Sequence, residues 1–331
     1  MTKSYVEFLF QSIDGSAGIL QHELSITYLE AVAETGENIF QKEILQQVSD
    51  LSQKKLHNIY GKIQLDRYSK EEIRKAMQLS VLKGMKEALQ PRHAMTPDAV
   101  SIFIGYLVNK WMGDEKQVAI FDPVVGTGNL LTAILNGMPE ETAAFGIEAD
   151  ETLLRLAYVN ANLQAHRIEL FHGDAVRPLF VDPVDLVVAD LPIGYYPNDD
   201  IAEGYELKAS SGHSFVHHLL IEQSLRYAKE GAVLIFLIPN GLFEQEGAAK
   251  LHTFLKEKAV IQGLLQLPLS MFKNEESQKS IFMIRKKSDK IEPPKQVLLA
   301  SLPSFSDERK LSHAITKINE WFDENVPRKR R

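Results

Sequence analysis

The spacing of apolar and polar positions changes near residue 117. Before that point apolar residues recur every three or four positions, as in 20–40 (LQHELSITYLEAVAETGENIF) and 43–60 (EILQQVSDLSQKKLHNIY). This spacing predicts amphipathic helices. Ser69 and Glu72 have the spacing of a capping box, which predicts the start of another helix that ends before Pro91. Residues 1–90 are therefore predicted to form an N-terminal helical domain.

After residue 117, short and continuously apolar segments alternate with amphipathic ones, which predicts a mostly parallel sheet covered by helices on both faces. The predicted strands are 117–123, 142–150, 167–174, 185–192, 231–240, 259–268 and 280–287. The connection between the last two is too short for a crossover helix, so the last strand is expected to be antiparallel. The sequence therefore predicts an α/β fold with a seven-stranded sheet.

The domain boundaries follow from these patterns. Residues 91–290 hold the predicted sheet and its helices. Residues 291–331 contain one more short apolar segment, 295–302, and an amphipathic helix, 307–325, which we expect to pack on the core.

The composition limits the kinds of function that the protein can have. The 331 residues include no cysteine, which excludes disulfides and thiolate chemistry. No apolar run approaches the roughly 20 residues that span a bilayer, and the N-terminus lacks the features of a signal peptide, so we expect a cytoplasmic protein. The net charge of −7 gives only weak support to DNA as a partner, because proteins that bind nucleic acid by themselves usually have a basic face.

The chemistry-bearing residues follow the predicted strands, where ligands bind in open α/β sheets. Glycines at such a position let the backbone approach a ligand and turn into a helix. Glu148 comes 20 residues after Gly128, the spacing at which a carboxylate meets ribose hydroxyls. The candidate cofactor-binding residues at these ends are Asp122, Pro123, Gly126, Thr127, Gly128, Asn129, Glu148, Ala149, Asp150, Asp174, Ala175 and Asp190.

One nucleoside cofactor would account for all these strand ends together. The turn at 126–128 reads G-x-G and lacks the third glycine of the dinucleotide fingerprint. This pattern favours S-adenosylmethionine over a nicotinamide cofactor. It leaves a dehydrogenase as a weak alternative.

The ordered motifs resemble those of the class I S-adenosylmethionine-dependent methyltransferases. Within that class they resemble the N6-adenine DNA methyltransferases, and most closely the modification subunits of type I restriction systems. The motifs that carry the likeness are DPVVGTGNLL at 122–131, HAMTP at 93–97, PNGLF at 239–243 and LPLSMF at 267–272. The likeness covers about residues 70–290 and implies a Rossmann-like fold.

The resemblance implies roles for individual residues. Thr96 and Pro97 would border the methionine end of the cofactor, and the glycine turn would line its methionine and sugar. Glu148 would hold the ribose hydroxyls, whereas Asp174 would contact the adenine edge. DNA is the implied substrate, and a separate partner that binds the helical domain or chooses the target sequence is compatible with it. Oligomeric state is left open.

The family's catalytic motif reads N/D/S-P-P-aromatic, and this chain departs from it. The side chain at its first position and the next backbone carbonyl accept the amino hydrogens of adenine, while the aromatic ring stacks on the base. Here the motif reads Asp190-Leu191-Pro192-Ile193. Tyr195 and Tyr196 follow, and either they replace the missing ring or they merely cover the loop. The candidate catalytic residues are Asp190, Pro192, Ile193, Tyr195 and Tyr196.

Three functions stay open at this point. The first is methyl transfer from S-adenosylmethionine to adenine N6 in DNA. The second is transfer by the same fold to RNA or to a protein amide. The third is binding of the cofactor without catalysis. No metal is expected, because His213, His217 and His218 have no carboxylate placed to complete a ligand set; His217 and His218 are expected to fill the surface or the core.

Overall fold

A computed structural model describes residues 4–87, 95–113, 115 and 117–326. The helices are α1 (Tyr5–Leu24), α2 (Tyr28–Gln41), α3 (Asp50–Tyr60), α4 (Lys70–Glu87), α5 (Asp98–Met112), α6 (Asn129–Leu135), α7 (Glu151–Leu163), α8 (Asp199–Ala202), α9 (Val216–Tyr227), α10 (Ala248–Lys258) and α11 (Glu308–Asn325). The strands are β1 (Ala119–Asp122), β2 (Ala143–Glu148), β3 (Ile168–His172), β4 (Val184–Asp190), β5 (Ala228–Pro239), β6 (Ala259–Gln266), β7 (Lys279–Lys286) and β8 (Leu298–Ser301).

The strands form one sheet in the order β3-β2-β1-β4-β5-β7-β6-β8. β1, β4 and β5 pair in parallel, and β7 runs antiparallel to both β5 and β6. The predicted mostly parallel α/β sheet is confirmed, as is the antiparallel β7. The sheet has eight strands rather than seven, because β8 in the C-terminal segment pairs in parallel with β6.

The chain divides into two compact units. The first contains the described residues of 1–105, 125–140 and 146–173. Its core is formed by the apolar faces of α1, α2, α4 and α7. A buried polar network stabilises it: Ser16 Oγ lies 2.5 Å from Tyr60 Oη and accepts a hydrogen bond from Thr35 Oγ1 at 3.1 Å.

The pattern over 20–40 crosses a break between two helices of this unit. α1 ends at Leu24, where Ser25 has a left-handed backbone with φ of 54°. Thr27 and Glu30 then form a capping box that starts α2. The helical spacing continues in register through the turn, so it does not reveal the break. The second capping box, Ser69 with Glu72, is confirmed by reciprocal hydrogen bonds.

The second unit contains the described residues of 106–124, 141–145 and 174–326. Its core lies in the central strands β4, β5 and β7, whose apolar residues are almost all buried. The β4–β5 register places Asp190, the last residue of β4, beside Leu237. No helix in the described part of the chain is long and apolar enough to cross a membrane.

Candidate functional site

The glycine turn in the first unit holds two glycines for two different reasons. Gly126 and Gly128 both have left-handed backbones, with φ of 55° and 74°. A Cβ on Gly128 would lie 3.3 Å from Ala157 Cα, so this glycine lets the start of α6 approach α7. A Cβ on Gly126 would meet nothing within 4 Å. Gly126 therefore leaves open space above the turn, as a backbone that faces a ligand would.

Asn129 begins α6 and is almost fully buried. Its Oδ1 accepts a hydrogen bond from Arg74 Nη1 at 2.8 Å, while its Nδ2 has no hydrogen-bond partner among the described residues. Arg74 has no exposed side-chain surface and also pairs with Glu71 and Asp98. Sequence reasoning missed Arg74, because a single arginine inside an apolar helix face gives no sign of its distant partner.

Glu148 ends β2 with its carboxylate held by three backbone N–H groups. Its Oε2 accepts from Gly126, and its Oε1 accepts from Ala149 and Asp150, each at 2.9 Å. This contact fixes the glycine turn to the end of β2. Asp150 accepts from Leu153 N at 3.0 Å and caps α7. The Ala149 carbonyl lies 2.9 Å from His172 Nε2.

Two other predicted cofactor residues, Thr127 and Pro97, have backbone roles in the structure. The buried Thr127 offers its carbonyl to Asn160 Nδ2 at 3.2 Å. Thr96 is also buried, and the carbonyl of Pro97 accepts from Val100 and Ser101 to start α5. His93 and Ala94, which open the predicted HAMTP motif, lie outside the described residues.

In the second unit, two strand ends present acidic side chains. Asp122 is buried with Pro123 next to it, and its Oδ1 accepts from Val124 N at 3.0 Å. Asp174 Oδ1 accepts from Val176 N at 2.9 Å, and Ala175 between them is buried. These contacts order the backbone after each strand.

Tyr196 ties the candidate catalytic loop to Asp174. The ring is buried, and its hydroxyl donates to Asp174 Oδ2 at 2.5 Å. Burial raises the pKa of this hydroxyl, and the hydrogen bond to the carboxylate raises it further. The structure therefore gives Tyr196 a role in holding the loop.

Asp190 ends β4 in contact with a lysine. Lys279 Nζ, at the start of β7, forms an ion pair with Asp190 Oδ1, and both side chains are less than one fifth exposed. This pair could not be predicted, since 89 residues separate its members in the chain. Asp190 is thus fixed from the neighbouring part of the sheet.

Leu191 stands where the family motif has its first proline. Its N–H donates to the Leu237 carbonyl at 3.1 Å, which continues the β4–β5 pairing one residue beyond Asp190. Proline has no N–H and could not make this bond. The Leu191 side chain is fully buried, whereas Pro192 and Ile193 are exposed. The departure from the motif therefore has a structural reason at position 191.

Tyr195 presents an aromatic ring to solvent. Its ring stacks on Phe215, with centroids 4.9 Å apart and planes 19° from parallel. Gly194 before it has φ of 137°, a left-handed value that favours glycine. Backbone hydrogen bonds from Tyr196 N to Ser214 O and from Val216 N to Gly194 O fix the loop on both sides of the ring. Tyr195 is 62% exposed, whereas Tyr196 is 4% exposed.

Two buried histidines lie behind this loop. His217 Nε2 and His218 Nε2 lie 2.6 Å and 3.2 Å from the amide nitrogen of Gln245. Burial lowers the pKa of both to about 4. For His217, neighbouring His218 lowers the pKa further and a contact with the Pro192 backbone opposes the shift. Both rings are therefore neutral at pH 7. No cluster of three potential metal ligands occurs among the described residues.

Comparison with known proteins assigns the chain to a family. Residues 88–329 match the family described as N-6 DNA methylase, and residues 7–85 match the YtxK N-terminal helical domain. The chain belongs to the N-6 DNA methylase family. The fold and the predicted resemblance to class I methyltransferases are thereby confirmed.

Two relatives match this chain over nearly their whole length. The Uncharacterized protein YtxK of Bacillus subtilis is 48% identical over 325 residues, which cover 97% of this chain and 99% of that protein. A Listeria monocytogenes crystal structure, assigned to the class I S-adenosylmethionine-dependent methyltransferases, is 44% identical with a TM-score of 0.90. It covers 96% of this chain and 99% of that one.

A more distant likeness shows the fold alone. A modification subunit from Vibrio vulnificus, assigned to a type I restriction enzyme, is 17% identical with a TM-score of 0.66. The match covers 88% of this chain and 66% of that chain.

This family member is a class I methyltransferase and uses S-adenosylmethionine. The first unit fits such a cofactor, because it combines the open space above Gly126, the unpartnered amide nitrogen of Asn129 and the carboxylate of Glu148. An N–H donor suits a carboxylate, and a carboxylate acceptor suits ribose hydroxyls. In the second unit, Asp174 offers a carboxylate acceptor of the kind that an adenine amino group requires.

Proposed function

We propose that the protein transfers a methyl group from S-adenosylmethionine to the N6 nitrogen of adenine in DNA. The observation that carries this proposal is Asp190, a hydrogen-bond acceptor held at the end of β4 and followed by the loop that exposes Tyr195. The family match and the methyltransferase relatives support it.

Asp190 and the Leu191 carbonyl orient the target amino group. The lone pair of adenine N6 is delocalised into the ring, which makes this nitrogen a weak nucleophile. When Asp190 and the Leu191 carbonyl accept its two hydrogens, the nitrogen moves towards a tetrahedral geometry and its lone pair becomes available. Catalysis by this chain is therefore chiefly positioning of the acceptor nitrogen.

The cofactor supplies an electrophilic methyl group on a sulfonium. We assign its methionine end to Thr96, Pro97 and the turn from Asp122 to Asn129. Glu148 would accept the ribose hydroxyls and Ala149 would pack on the adenine. Asp174 and Ala175 would contact the adenine edge. Asp150 contributes by capping α7 beside Glu148.

Tyr195 replaces the aromatic residue that the family motif has at position 193. Its ring is exposed on one face and supported by Phe215 on the other, so a target base taken out of the duplex can stack on it. Such stacking contributes about 1–3 kcal/mol per base. The exposed Ile193 adds apolar contact without an aromatic face.

If DNA is the substrate, a partner protein is needed to select the target sequence. The net charge of −7 gives little attraction to phosphates. We propose that a partner supplies part of the DNA contact and the target choice, and that the N-terminal helical domain is the surface it binds. The likeness in fold to a chain described as the modification subunit of a type I restriction enzyme is compatible with a separate partner.

A second candidate is cofactor binding without transfer. Ile193 in place of the motif's aromatic residue favours it, because the loop then lacks a ring at the usual position. Transfer to RNA or to a protein amide would use the same acceptor geometry.

The test is transfer of a labelled methyl group to unmethylated DNA, to RNA and to protein, after a calorimetric titration with S-adenosylmethionine. We expect label in DNA, at N6 of adenine. Asp190→Ala should lower the rate on the order of 100-fold, as loss of one preorganised polar contact to reacting atoms does. Asp200→Ala is the matched control, since Asp200 is an exposed carboxylate after the same loop.

Each other result has a separate meaning. Label only in RNA or protein would replace DNA with that substrate. Tight cofactor binding with no labelled product would establish the non-catalytic alternative. An unchanged rate in Asp190→Ala would remove Asp190 from the reaction.

A further inference from the structure

We propose that the Asp190 carboxylate accepts the amino hydrogen of the target base while paired with Lys279, and that Lys279 is a positioning residue for methyl transfer. This inference rests on the proposed function, because it gives a role to a residue that acts through Asp190. Neither the motif nor the comparisons assign a role to Lys279.

The sheet brings the two residues together across one strand. Asp190 on β4 pairs with Leu237 on β5, and Lys279 on β7 pairs with Pro239 on the other side of β5. Neighbouring strands lie about 4.8 Å apart, so only a long side chain reaches from β7 past β5 to β4. The lysine side chain has that length.

The backbone on both sides of this contact is fixed. The Lys279 carbonyl accepts from Leu267 N at 3.1 Å, and Leu191 N donates to the Leu237 carbonyl at 3.1 Å. The two charged groups thus meet between anchored strands rather than on a loop. A site held by strands is more exact than one held by a loop.

Burial makes each partner depend on the other. The Lys279 and Asp190 side chains are 19% and 18% exposed. A charge that is largely removed from water is stable only when it is paired, and removal of one partner leaves the other uncompensated. Asparagine at position 190 keeps the shape and the acceptor oxygen but lacks the charge. In this chain it would leave the Lys279 ammonium against a neutral amide.

The ion pair orients the Asp190 carboxylate without adding a net negative charge that would attract the cofactor. A carboxylate can accept about four hydrogen bonds, so Lys279 restrains the group at Oδ1 and itself uses only one of these positions. The pair carries no net charge. It therefore adds little attraction for a cationic sulfonium, and its effect falls on the geometry of the acceptor nitrogen.

The experiment compares Lys279→Met, Lys279→Arg, Asp190→Asn and the double variant Asp190→Asn/Lys279→Met. Lys273→Met is the matched control, because Lys273 is exposed on the segment before β7. We measure kcat and KM on unmethylated DNA, the Kd for S-adenosylmethionine and the thermal midpoint of every variant.

We expect Lys279→Met to lower kcat by about tenfold or more, whereas its Kd for S-adenosylmethionine stays within about threefold or becomes tighter, because the remaining carboxylate attracts the sulfonium. Lys279→Arg should restore most of kcat. The double variant should have a kcat about tenfold above the product of the two single effects, as expected for residues in direct contact. Lys273→Met should behave like the wild type.

Three results would overturn the proposal. They are an unchanged kcat in Lys279→Met, additive effects in the double variant, and a loss in Lys279→Met that is explained fully by a lower thermal midpoint. If Lys279→Met does not fold, Lys279→Gln replaces it in the single and double variants, because the coupling requires the kcat of both single variants. If the wild type transfers no methyl group to DNA, the proposed function fails instead. The pair is then judged by whether the two substitutions couple in cofactor affinity and thermal midpoint.

Discussion

At the scale of residues, the adjacent Tyr195 and Tyr196 lie in opposite environments and have different roles. Tyr196 is buried and donates to Asp174, whereas Tyr195 is exposed and stacks on Phe215. Gly194 with its left-handed backbone sets the direction of the chain before them. Only Tyr195 has a ring face available to a substrate in this arrangement.

Removal of the Tyr195 ring tests its role as a base platform. We expect Tyr195→Ala to raise KM for DNA by about 5- to 160-fold, the equivalent of about 1–3 kcal/mol of stacking. The Kd for S-adenosylmethionine should not change. Tyr195→Phe keeps the ring and should stay within about twofold of wild type, and methyl-transfer kinetics measure both.

The matched control is Phe180→Ala, because Phe180 is an aromatic ring that is 98% exposed elsewhere in the same unit. It should have wild-type kinetics. Equal losses in Tyr195→Phe and Tyr195→Ala would assign the effect to the hydroxyl group and contradict the stacking role.

At the scale of elements, α2 and α7 approach each other through a glycine. A Cβ on Gly36 would lie 2.0 Å from Val159 Cγ1 and 3.5 Å from Leu163 Cδ1. A side chain at position 36 would therefore require the Val159 side chain or one of the two helices to move. Gly36 is therefore selected by packing, although glycine disfavours a helix interior.

Two glycine substitutions separate packing from helix propensity. Gly36→Ala should lower the free energy of unfolding by about 1–3 kcal/mol, because it overfills the α2–α7 contact. Gly18→Ala in α1 should raise it by about 0.5–1 kcal/mol, since a Cβ there meets nothing within 4 Å and alanine favours the helix. Urea unfolding measures both, and effects of the same sign would contradict this account.

The elements were predictable where local patterns dictate them. Apolar runs located the central strands, and the Ser69–Glu72 spacing located the start of α4. The break at Ser25 was missed because the helical period continues through it. The pairing of β8 with β6 was missed because a four-residue strand does not indicate its partner.

In the candidate site, too, the residues that are close in sequence were predictable and the contacts between distant segments were not. The strand ends and the glycine turn could be found because their residues are close in sequence. The contacts of Asp190 with Lys279, Tyr196 with Asp174 and Asn129 with Arg74 join distant segments. No spacing rule encodes such contacts, so only the folded chain reveals them.

At the scale of the whole molecule, the buried His217 and His218 and the partly buried His166 link stability to pH. Burial lowers the pKa values of His166, His217 and His218 to about 4 in the folded protein, whereas unfolded histidine titrates near 6.5. Between these values the unfolded chain binds protons that the folded chain does not bind. Stability is therefore lost as the pH falls from about 6.5 to about 4.

The free energy of unfolding, and with it the urea midpoint, should fall as the pH is lowered from 6.5 to 4.5. Each histidine contributes a slope of up to about 1.4 kcal/mol per pH unit to this free energy. Hydrogen bonds from Ser52 and Ser49 lower the pKa of Glu23 to about 2. Glu23 therefore changes the stability only below its ordinary pKa of 4.5, so above pH 4.5 the slope comes from the histidines and not from Glu23. His218→Gln should reduce the slope, whereas His313→Gln at an exposed position should not. A midpoint that stays constant from pH 7 to 5 would contradict the effect.

The hydrogen bond from Leu191 to Leu237 has a consequence for protein engineering. A designer who compared this loop with the family motif would be tempted to repair it by placing proline at position 191. That repair would delete a rung between β4 and β5 and leave the Leu237 carbonyl without its donor. Position 193, which is exposed and makes no such bond, is where an aromatic residue could be restored at low risk to the fold.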